Sequence, residues 1–151
     1  MKITKIEYTP NKESKETVTV PEAELSADGG IVGDFHFGPG DRQLCLASED
    51  TMEDIQKDLD GGLCFRRFHP NLTVSGFSVR GLKKASDSHP GTLLQCGSAV
   101  LEVTTFKRCF PKECELAGTG KCPLQRSVIC ARVVTTGQVK PGDPVVILET
   151  Q

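Results

Sequence analysis

The residues best suited to chemistry lie in one short basic segment, which contains three of the seven cysteines, Cys109, Cys114 and Cys122. From Lys107 to Arg126 the chain has five basic and two acidic side chains, a local net charge of +3 in a protein whose total is −2. Neighbouring cations favour the thiolate, which is the form of cysteine that attacks, carries sulfur or binds metal. Because Cys109 directly follows two basic residues, it is the main candidate for a reactive thiol. The alternative is that Cys109 packs as a small apolar side chain beneath a solvated basic loop.

The same three cysteines could instead bind zinc or form a disulfide. Their spacings, C-x4-C and C-x7-C, are looser than the paired C-x2-C knuckles of structural zinc sites, and Cys130 or His69 would have to supply a fourth ligand. Cys109 could also pair with Cys114 or Cys122, since a reactive thiol often has a resolving partner. The residues alone leave these alternatives open.

The remaining four cysteines are expected to be core residues. Cys45 and Cys130 have apolar neighbours in segments that are typical of strands. Cys96 precedes a strand bend, and Cys64 also has apolar neighbours. Because cysteine is among the most frequently buried residue types, we predict that all four pack as small apolar side chains.

A second candidate site is the glycine-rich loop over residues 33–42. Its glycines permit close approach of the backbone, and Arg42 could hold a phosphate or carboxylate through two parallel hydrogen bonds. His36 could donate a hydrogen bond or carry a proton near neutral pH. The lysine and hydroxyl pattern of a phosphate-binding P-loop is missing. His69 follows Arg66 and Arg67 in another polar cluster, for which we expect a surface loop.

Size and composition indicate an ordinary globular protein. A chain of 151 residues has room for one domain, which we predict over residues 1–151. A net charge of −2 and the absence of Trp argue against nucleic-acid binding. The N-terminus lacks the apolar run of a signal peptide, and no segment approaches the roughly 20 apolar residues that span a bilayer. We therefore expect a cytoplasmic protein that binds neither nucleic acid nor membrane.

Short alternating segments predict a mainly β protein. Ser48 is expected to cap the one convincing helix, which should end at Gly61–Gly62, and residues 63–68 should form a weaker helix or a loop. The many short strands predict a β-barrel with one short helix and a few helical turns. The predicted strands lie at residues 2–8, 17–20, 43–47, 71–75, 92–105 with a break at 96–98, 128–134 and 145–148.

Several motifs follow one another along nearly the whole chain, and together they point to a family. They are Gly33-Asp34-x-His36, Arg42-Gln43 before a strand, Asn71-Leu72-Thr73-Val74-Ser75-Gly76, Gly97 to Thr104, Arg108-Cys109, Ala131-Arg132-Val133, and Gly137-x-Val139-x-Pro141-Gly142-Asp143. This series resembles the MOSC domain family, named for the C-terminal domain of molybdenum cofactor sulfurase. It is most similar to the short stand-alone bacterial members, which also carry a cysteine-rich loop.

The resemblance implies a MOSC-like β-barrel and a role in sulfur or molybdenum cofactor chemistry. In the family, the cysteine that matches Cys109 is the proposed persulfide carrier, or the thiolate ligand of molybdenum in reductases of N-hydroxylated compounds. Cys114 or Cys122 would then resolve the sulfur adduct. A molybdopterin cofactor with its phosphate would suit the basic segment and the glycine-rich loop. The corresponding binding residues are Gly33, Asp34, His36, Arg42, Asn71, Lys107 and Arg108.

Two departures from the family pattern favour sulfur handling over reduction. The family commonly has an Arg-Glu-Asn-Leu-like run where this chain has His69-Pro70-Asn71-Leu72, so an acidic site residue is missing there. The reductases also carry an additional N-terminal β-domain that this sequence lacks. We therefore expect a sulfur carrier or sulfurtransferase, with a cysteine desulfurase or a molybdoenzyme as partner. The alternatives are a cofactor-binding protein or small reductase, and a zinc-stabilised interaction module. Open strand edges would also suit a homodimer.

Overall fold

The computed structural model describes residues 1–106, 114, 116, 119 and 121–148. This part of the chain contains eleven strands and two helices. In chain order they are β1 (Lys2–Tyr8), β2 (Val18–Thr19), β3 (Ala23–Ser26), β4 (Gly30–Ile31), β5 (Leu44–Ser48), α1 (Glu49–Lys57), β6 (Leu72–Ser75), β7 (Leu93–Cys96), β8 (Ala99–Phe106), α2 (Pro123–Ser127), β9 (Val128–Thr135), β10 (Gly137–Val139) and β11 (Val145–Leu148).

The larger of two sheets has eight strands in the order β11-β7-β8-β9-β5-β6-β1-β2. Every neighbouring pair is antiparallel except β5 and β6, which are parallel and are joined through α1, as a parallel pair requires a long crossover. The register of β8 against β9 shifts between Val100 and Leu101 and again between Val103 and Thr105. Such irregularities bend a strand, and the sheet curls into a half-barrel. The predicted mainly β, barrel-like fold is confirmed.

The β7–β8 hairpin lies where the sequence predicted a break. Cys96 pairs with Ala99 across a two-residue turn, in which Gly97 has φ +57. Two-residue hairpin turns need a positive φ at their first central position, which glycine adopts without strain. An added Cβ there would also clash with the Gln138 carbonyl oxygen.

The smaller sheet, of three strands in the order β10-β3-β4, was not predicted. Its central strand β3 has four residues and pairs with β10 through Leu25 and Gly137, which are far apart in the chain. A strand of two residues such as β4 has no periodicity to detect. The pairing therefore depends on the tertiary fold rather than on local sequence.

The two helices lie on the outer side of the large sheet and cover a second apolar cluster. Helix α1 buries Ile55, and Glu49 and Asp50 occupy its first turn, where negative charge suits the helix dipole. Ser48 is the N-cap residue, but its side chain makes no capping hydrogen bond, so that detail of the prediction is wrong. Residues 63–68 form turns rather than a second helix. Helix α2 was not predicted and begins with Pro123, where a missing N–H carries no penalty.

Two clusters of buried side chains support these layers. The main core lies inside the curled sheet and includes Leu46, Leu72 and Leu101, which are all 0% exposed. The second cluster contains Ala47, Ile55, Phe65, Cys122, Leu124 and Val128. No helix in the described part of the chain is long and apolar enough to cross a membrane.

Candidate functional site

A cavity of about 280 Å³ opens beside β1, β5 and the glycine-rich loop. Four residues that were predicted to bind a cofactor line it together: Asp34, His36, Arg42 and Asn71. Asp34, His36 and Arg42 come from the glycine-rich loop and Asn71 from a distant part of the chain, so the meeting of Asn71 with the loop is not a consequence of sequence proximity. The complete lining is Glu7, Tyr8, Thr9, Thr17, Asp34, His36, Arg42, Gln43, Leu44, Cys45, His69, Asn71 and Cys130.

Asp34 is the most deeply buried acidic group in this cavity. Its side chain is 1% exposed, and its Oδ1 lies 3.2 Å from Nδ1 of His36, whose side chain is 59% exposed. The other carboxyl oxygen, Oδ2, is buried and has no hydrogen-bond partner among the residues that the structure describes. Buried polar atoms are seldom left without a partner. Oδ2 is therefore the atom of this site most in need of a donor from a bound molecule.

The glycine-rich loop holds Asp34 and His36 against β1. Gly33 has φ +101, and a Cβ on it would come within 3.3 Å of the Tyr8 hydroxyl oxygen. The absence of a side chain therefore lets the loop pack on a cavity-lining tyrosine. The loop is further fixed by the Phe35 N–H, which donates to the Thr9 carbonyl at 2.9 Å. Gly33 thus supports the site without lining it.

Asn71 connects the two strands that form the cavity wall. Its side-chain Oδ1 accepts from the Cys45 N–H at 2.9 Å, and its Nδ2 donates to the Glu7 carbonyl at 3.1 Å. Its backbone N–H and C=O bond to the same two residues, at 3.0 Å and 2.9 Å. Asn71 therefore positions Glu7 and Cys45 in the wall of the site.

A second carboxyl–imidazole pair lies in the cavity and was missed from the sequence. Glu7, whose side chain is 9% exposed, has its Oε1 at 3.2 Å from Lys5 Nζ and at 3.8 Å from His69 Nδ1. The sequence places His69 in a surface loop. Glu7 lies in an alternating strand, and no sequence feature marks Glu7 as a site residue. The family commonly has an acidic residue where this chain has Pro70, so this motif brings no carboxyl group to the cavity. Glu7 supplies one from β1.

Cys45 and Cys130 also line the cavity and are half-buried. The prediction that the four cysteines pack as small apolar side chains is confirmed for Cys96, which is 0% exposed. Cys45 and Cys64 are half-buried and pack against the second apolar cluster, as predicted. Cys130 is half-buried as well. No disulfide joins any two of the six cysteines in the described ranges.

The cysteines predicted to react lie elsewhere or outside the description. Cys114 and Cys122 are buried, 7% and 6% exposed, and neither is among the cavity-lining residues. Cys109, Lys107 and Arg108 lie outside the described residues. The roles assigned to all five therefore stay predictions.

A metal centre finds no support in the described part of the chain. Within residues 1–106, 114, 116, 119 and 121–148, no group of three or more His, Cys, Asp or Glu side chains is arranged to hold a metal ion. A zinc site that includes Cys109 would involve a residue outside these ranges. The zinc-stabilised module thus stays a prediction.

A more open groove of about 800 Å³ borders the cavity and runs along α1. The groove shares Glu7 and His69 with the cavity, but none of the predicted binding residues in the described ranges lines it. The cavity is therefore the stronger candidate. It combines acceptors from Asp34 and Glu7, donors from Arg42, and two thiols, a set suited to a small polar or anionic molecule.

The curled β-sheet agrees with a family comparison. The model for the MOSC domain matches residues 32–146. The chain belongs to the MOSC domain family, which is linked to molybdenum cofactor sulfurase. A comparison with curated proteins finds no match.

Solved structures support the fold. The YuaD protein from Bacillus subtilis is similar, with a TM-score of 0.68 and 21% identity over 99% of this chain and 96% of that one. YiiM from Escherichia coli is similar with a TM-score of 0.60 and 18% identity, over 100% of this chain and 71% of that one. At this level of identity the likeness extends to the fold alone.

Proposed function

We propose that this protein handles sulfur in molybdenum cofactor metabolism and that Cys109 carries it as a persulfide. The observation that carries the proposal is the convergence of Asn71 with Asp34, His36 and Arg42 of the glycine-rich loop on one cavity. These residues were selected from sequence motifs of a family linked to molybdenum cofactor sulfurase. A small-molecule site requires a cavity that its residues share. A sealed cysteine cluster would not need one.

Chain connectivity is compatible with a place for Cys109 near this cavity. Phe106, the last described residue before the basic segment, pairs with Ile129 on β9. The next residue on β9, Cys130, lines the cavity. Cys109 follows Phe106 by three positions in the sequence, a stretch of chain that spans at most about 11 Å. This sequence proximity to β8 supports the assignment of Cys109 to the cavity.

The proposed step is a transfer of sulfane sulfur between two cysteines. The thiolate of Cys109 attacks the terminal sulfur of a persulfide on a cysteine desulfurase, and the desulfurase cysteine leaves as a thiolate. One S–S bond forms as another breaks, so no external oxidant is needed. Arg42 would orient an anionic acceptor such as the cofactor, because its guanidinium can hold a phosphate through two hydrogen bonds. Homodimerisation stays a prediction.

The test is transfer of sulfur from a cysteine desulfurase in the presence of cysteine, followed by intact-protein mass spectrometry. We expect a gain of one sulfur atom that a thiol reductant removes, and no gain in Cys109→Ser. Cys64→Ser is the matched control, since Cys64 is half-buried but does not line the cavity. A gain that persists in Cys109→Ser would overturn the assignment.

A second candidate function is binding of the molybdenum cofactor, with Cys109 as a ligand of the metal. Asp34 Oδ2, a buried acceptor without a partner in the described residues, is suited to the N–H groups of a pterin, and Arg42 to its phosphate. The cofactor would supply a molybdenum centre for reduction or sulfur transfer. Protein purified from a cofactor-competent host should then contain molybdenum and yield a fluorescent pterin on oxidation. Absence of both would remove this candidate.

A further inference from the structure

Cys45 and Cys130 face each other across two neighbouring strands. They are directly paired in the antiparallel register of β5 and β9. Both are half-buried and both line the cavity. Because opposed residues in a sheet direct their side chains to the same face, the two thiols lie side by side.

The hydrogen bonds of the backbone show which kind of cross-strand pair this is. The Cys45 N–H donates to Asn71 Oδ1 at 2.9 Å, and the Cys45 carbonyl accepts from the Asn71 N–H at 3.0 Å. Both polar groups of Cys45 are thus directed away from β9. The Cys130 carbonyl accepts from the Thr104 hydroxyl on β8 at 3.1 Å, on the side away from β5. The two cysteines therefore form a non-hydrogen-bonded pair.

This pairing has a consequence for disulfide formation. In a non-hydrogen-bonded antiparallel pair the Cα atoms are about 4.5 Å apart. A disulfide requires Cα atoms roughly 4.4–6.8 Å apart. The pair therefore meets the requirement without movement of either strand, although close to its lower limit.

We propose that Cys45 and Cys130 are a redox-active dithiol in the cavity wall, which exchanges with low-molecular-weight disulfides. One thiolate attacks a sulfur of the small disulfide R–S–S–R, forms a mixed disulfide and releases the first R–S⁻. The second thiolate then attacks the protein sulfur of this intermediate, forms the Cys45–Cys130 bond and releases the second R–S⁻. The protein loses two electrons and two protons, and the small disulfide becomes two thiols.

Other cysteines in the described ranges lack this arrangement. Cys96 is 0% exposed, and the pKa of its thiol is raised to about 12, chiefly by burial and secondarily by the charge of Asp143. Cys114 and Cys122 are 7% and 6% exposed, and neither they nor Cys64 line the cavity. The combination of direct strand pairing and access from the cavity is thus specific to Cys45 and Cys130 among them.

The experiment treats the reduced, full-length protein with 2-hydroxyethyl disulfide, blocks the remaining thiols with iodoacetamide, and maps tryptic peptides without reduction. Trypsin places each of the seven cysteines on a different peptide, with Cys45 on residues 43–57, Cys130 on 127–132 and Cys109 on 109–112. We expect a cross-linked peptide that joins 43–57 to 127–132 and disappears on reduction. Cys45→Ser and Cys130→Ser should each stop at a stable mixed disulfide on the remaining partner.

Two control variants separate this inference from the proposed function. Cys64→Ser and Cys109→Ser should both keep the 43–57 to 127–132 cross-link. Formation of the cross-link in a protein whose Cys109 accepts no sulfur would support the dithiol and reject the carrier. The dithiol is overturned if Cys45 or Cys130 links to Cys109 instead, if both keep separate mixed disulfides, or if neither reacts. The result in the wild-type protein decides this even where a variant does not fold.

Discussion

Two regions of this molecule each bury a carboxylate and a thiol, but they differ in how far the surrounding protein satisfies the hydrogen bonds of the carboxylate. Near the β7–β8 hairpin, Glu102 is 5% exposed and both of its carboxyl oxygens are bonded: Oε1 accepts from Arg132 at 2.6 Å and Oε2 from the Gly91 N–H at 2.8 Å. In the cavity, Asp34 is also 5% exposed when the whole residue is counted. Its Oδ1 contacts a half-exposed histidine, and its Oδ2 has no partner in the described residues.

The thiols of the two regions differ in their exposure. Cys96 at the end of β7 is 0% exposed in the main core, whereas Cys45 and Cys130 are half-buried and line the cavity. Burial alone does not distinguish the two carboxylates, Glu102 and Asp34. They differ in whether the described residues satisfy both carboxyl oxygens. The hairpin region is closed, and the cavity is suited to a ligand.

The largest effect is expected from Glu102→Ala in the closed region. The substitution removes the acceptor for a buried N–H and for Arg132, and hydrogen bonds to charged groups contribute roughly 1.5–3 kcal/mol. Because Arg132 is 47% exposed, its share is reduced by solvent screening. We expect the free energy of unfolding to fall by about 2 kcal/mol in urea denaturation.

Glu24→Ala is the matched control, since Glu24 is an exposed carboxylate on β3. Its effect should stay within about 0.5 kcal/mol, as is usual for surface substitutions. Equal losses in the two variants would contradict the idea that the hairpin region depends on satisfied buried charge.

Between pH 9 and pH 10, an intermediate effect is expected from ionisation of Cys96. Its pKa rises from 9.0 in a model thiol to about 12 in the fold. As pH increases, the unfolded chain loses this proton first, so the stability it contributes is complete below pH 9 and is lost between about 9 and 12. Each pH unit in that window should lower the free energy of unfolding by about 1.4 kcal/mol.

Urea denaturation at two pH values, one below 9 and one near 10, measures this effect. The wild-type protein should lose more stability across the interval than Cys96→Ala, by about 1.4 kcal/mol per pH unit in the window. The comparison of differences removes the constant cost of the cavity that the substitution leaves. Identical pH dependence in the two proteins would show that Cys96 is not sealed as the structure indicates.

The features that could be predicted from the sequence are those that depend on residues close together in the chain. Gly97 places the β7–β8 turn, and the stripe of apolar residues in 49–57 predicts α1. The motif residues Asp34, His36 and Arg42 line one cavity, and their binding role stays a prediction.

What could not be predicted depends on pairing between distant segments. The three-stranded sheet requires β3 to meet β10, and the opposed thiols require β5 to meet β9 in one register out of several. Shifting that register by one residue would place Cys45 and Cys130 on opposite faces. Glu7 enters the site for the same reason, because Asn71 joins β1 to β5 only in the folded protein.

The smallest effect on stability, and the sharpest contrast with Glu102, is expected from Asp34→Asn. The amide keeps the size of the carboxyl group and can still accept from His36 through its oxygen. Since Oδ2 has no described partner to lose, the free energy of unfolding should change by less than about 1 kcal/mol. Transfer of sulfur onward to an acceptor that uses Oδ2 should nevertheless slow by about tenfold, the value of one lost hydrogen bond to a charged group.

Urea denaturation and the rate of sulfur transfer, measured on the same preparation, give the two readouts. Glu102→Gln is the matched amide substitution: it should lower stability more than Asp34→Asn does and leave the transfer rate unchanged. If Asp34→Asn instead destabilises the fold as strongly as Glu102→Gln, Oδ2 is satisfied within the protein and the cavity is no more open than the hairpin. A small stability change with a slowed transfer would establish Asp34 as a group held unsatisfied by the fold for a bound molecule.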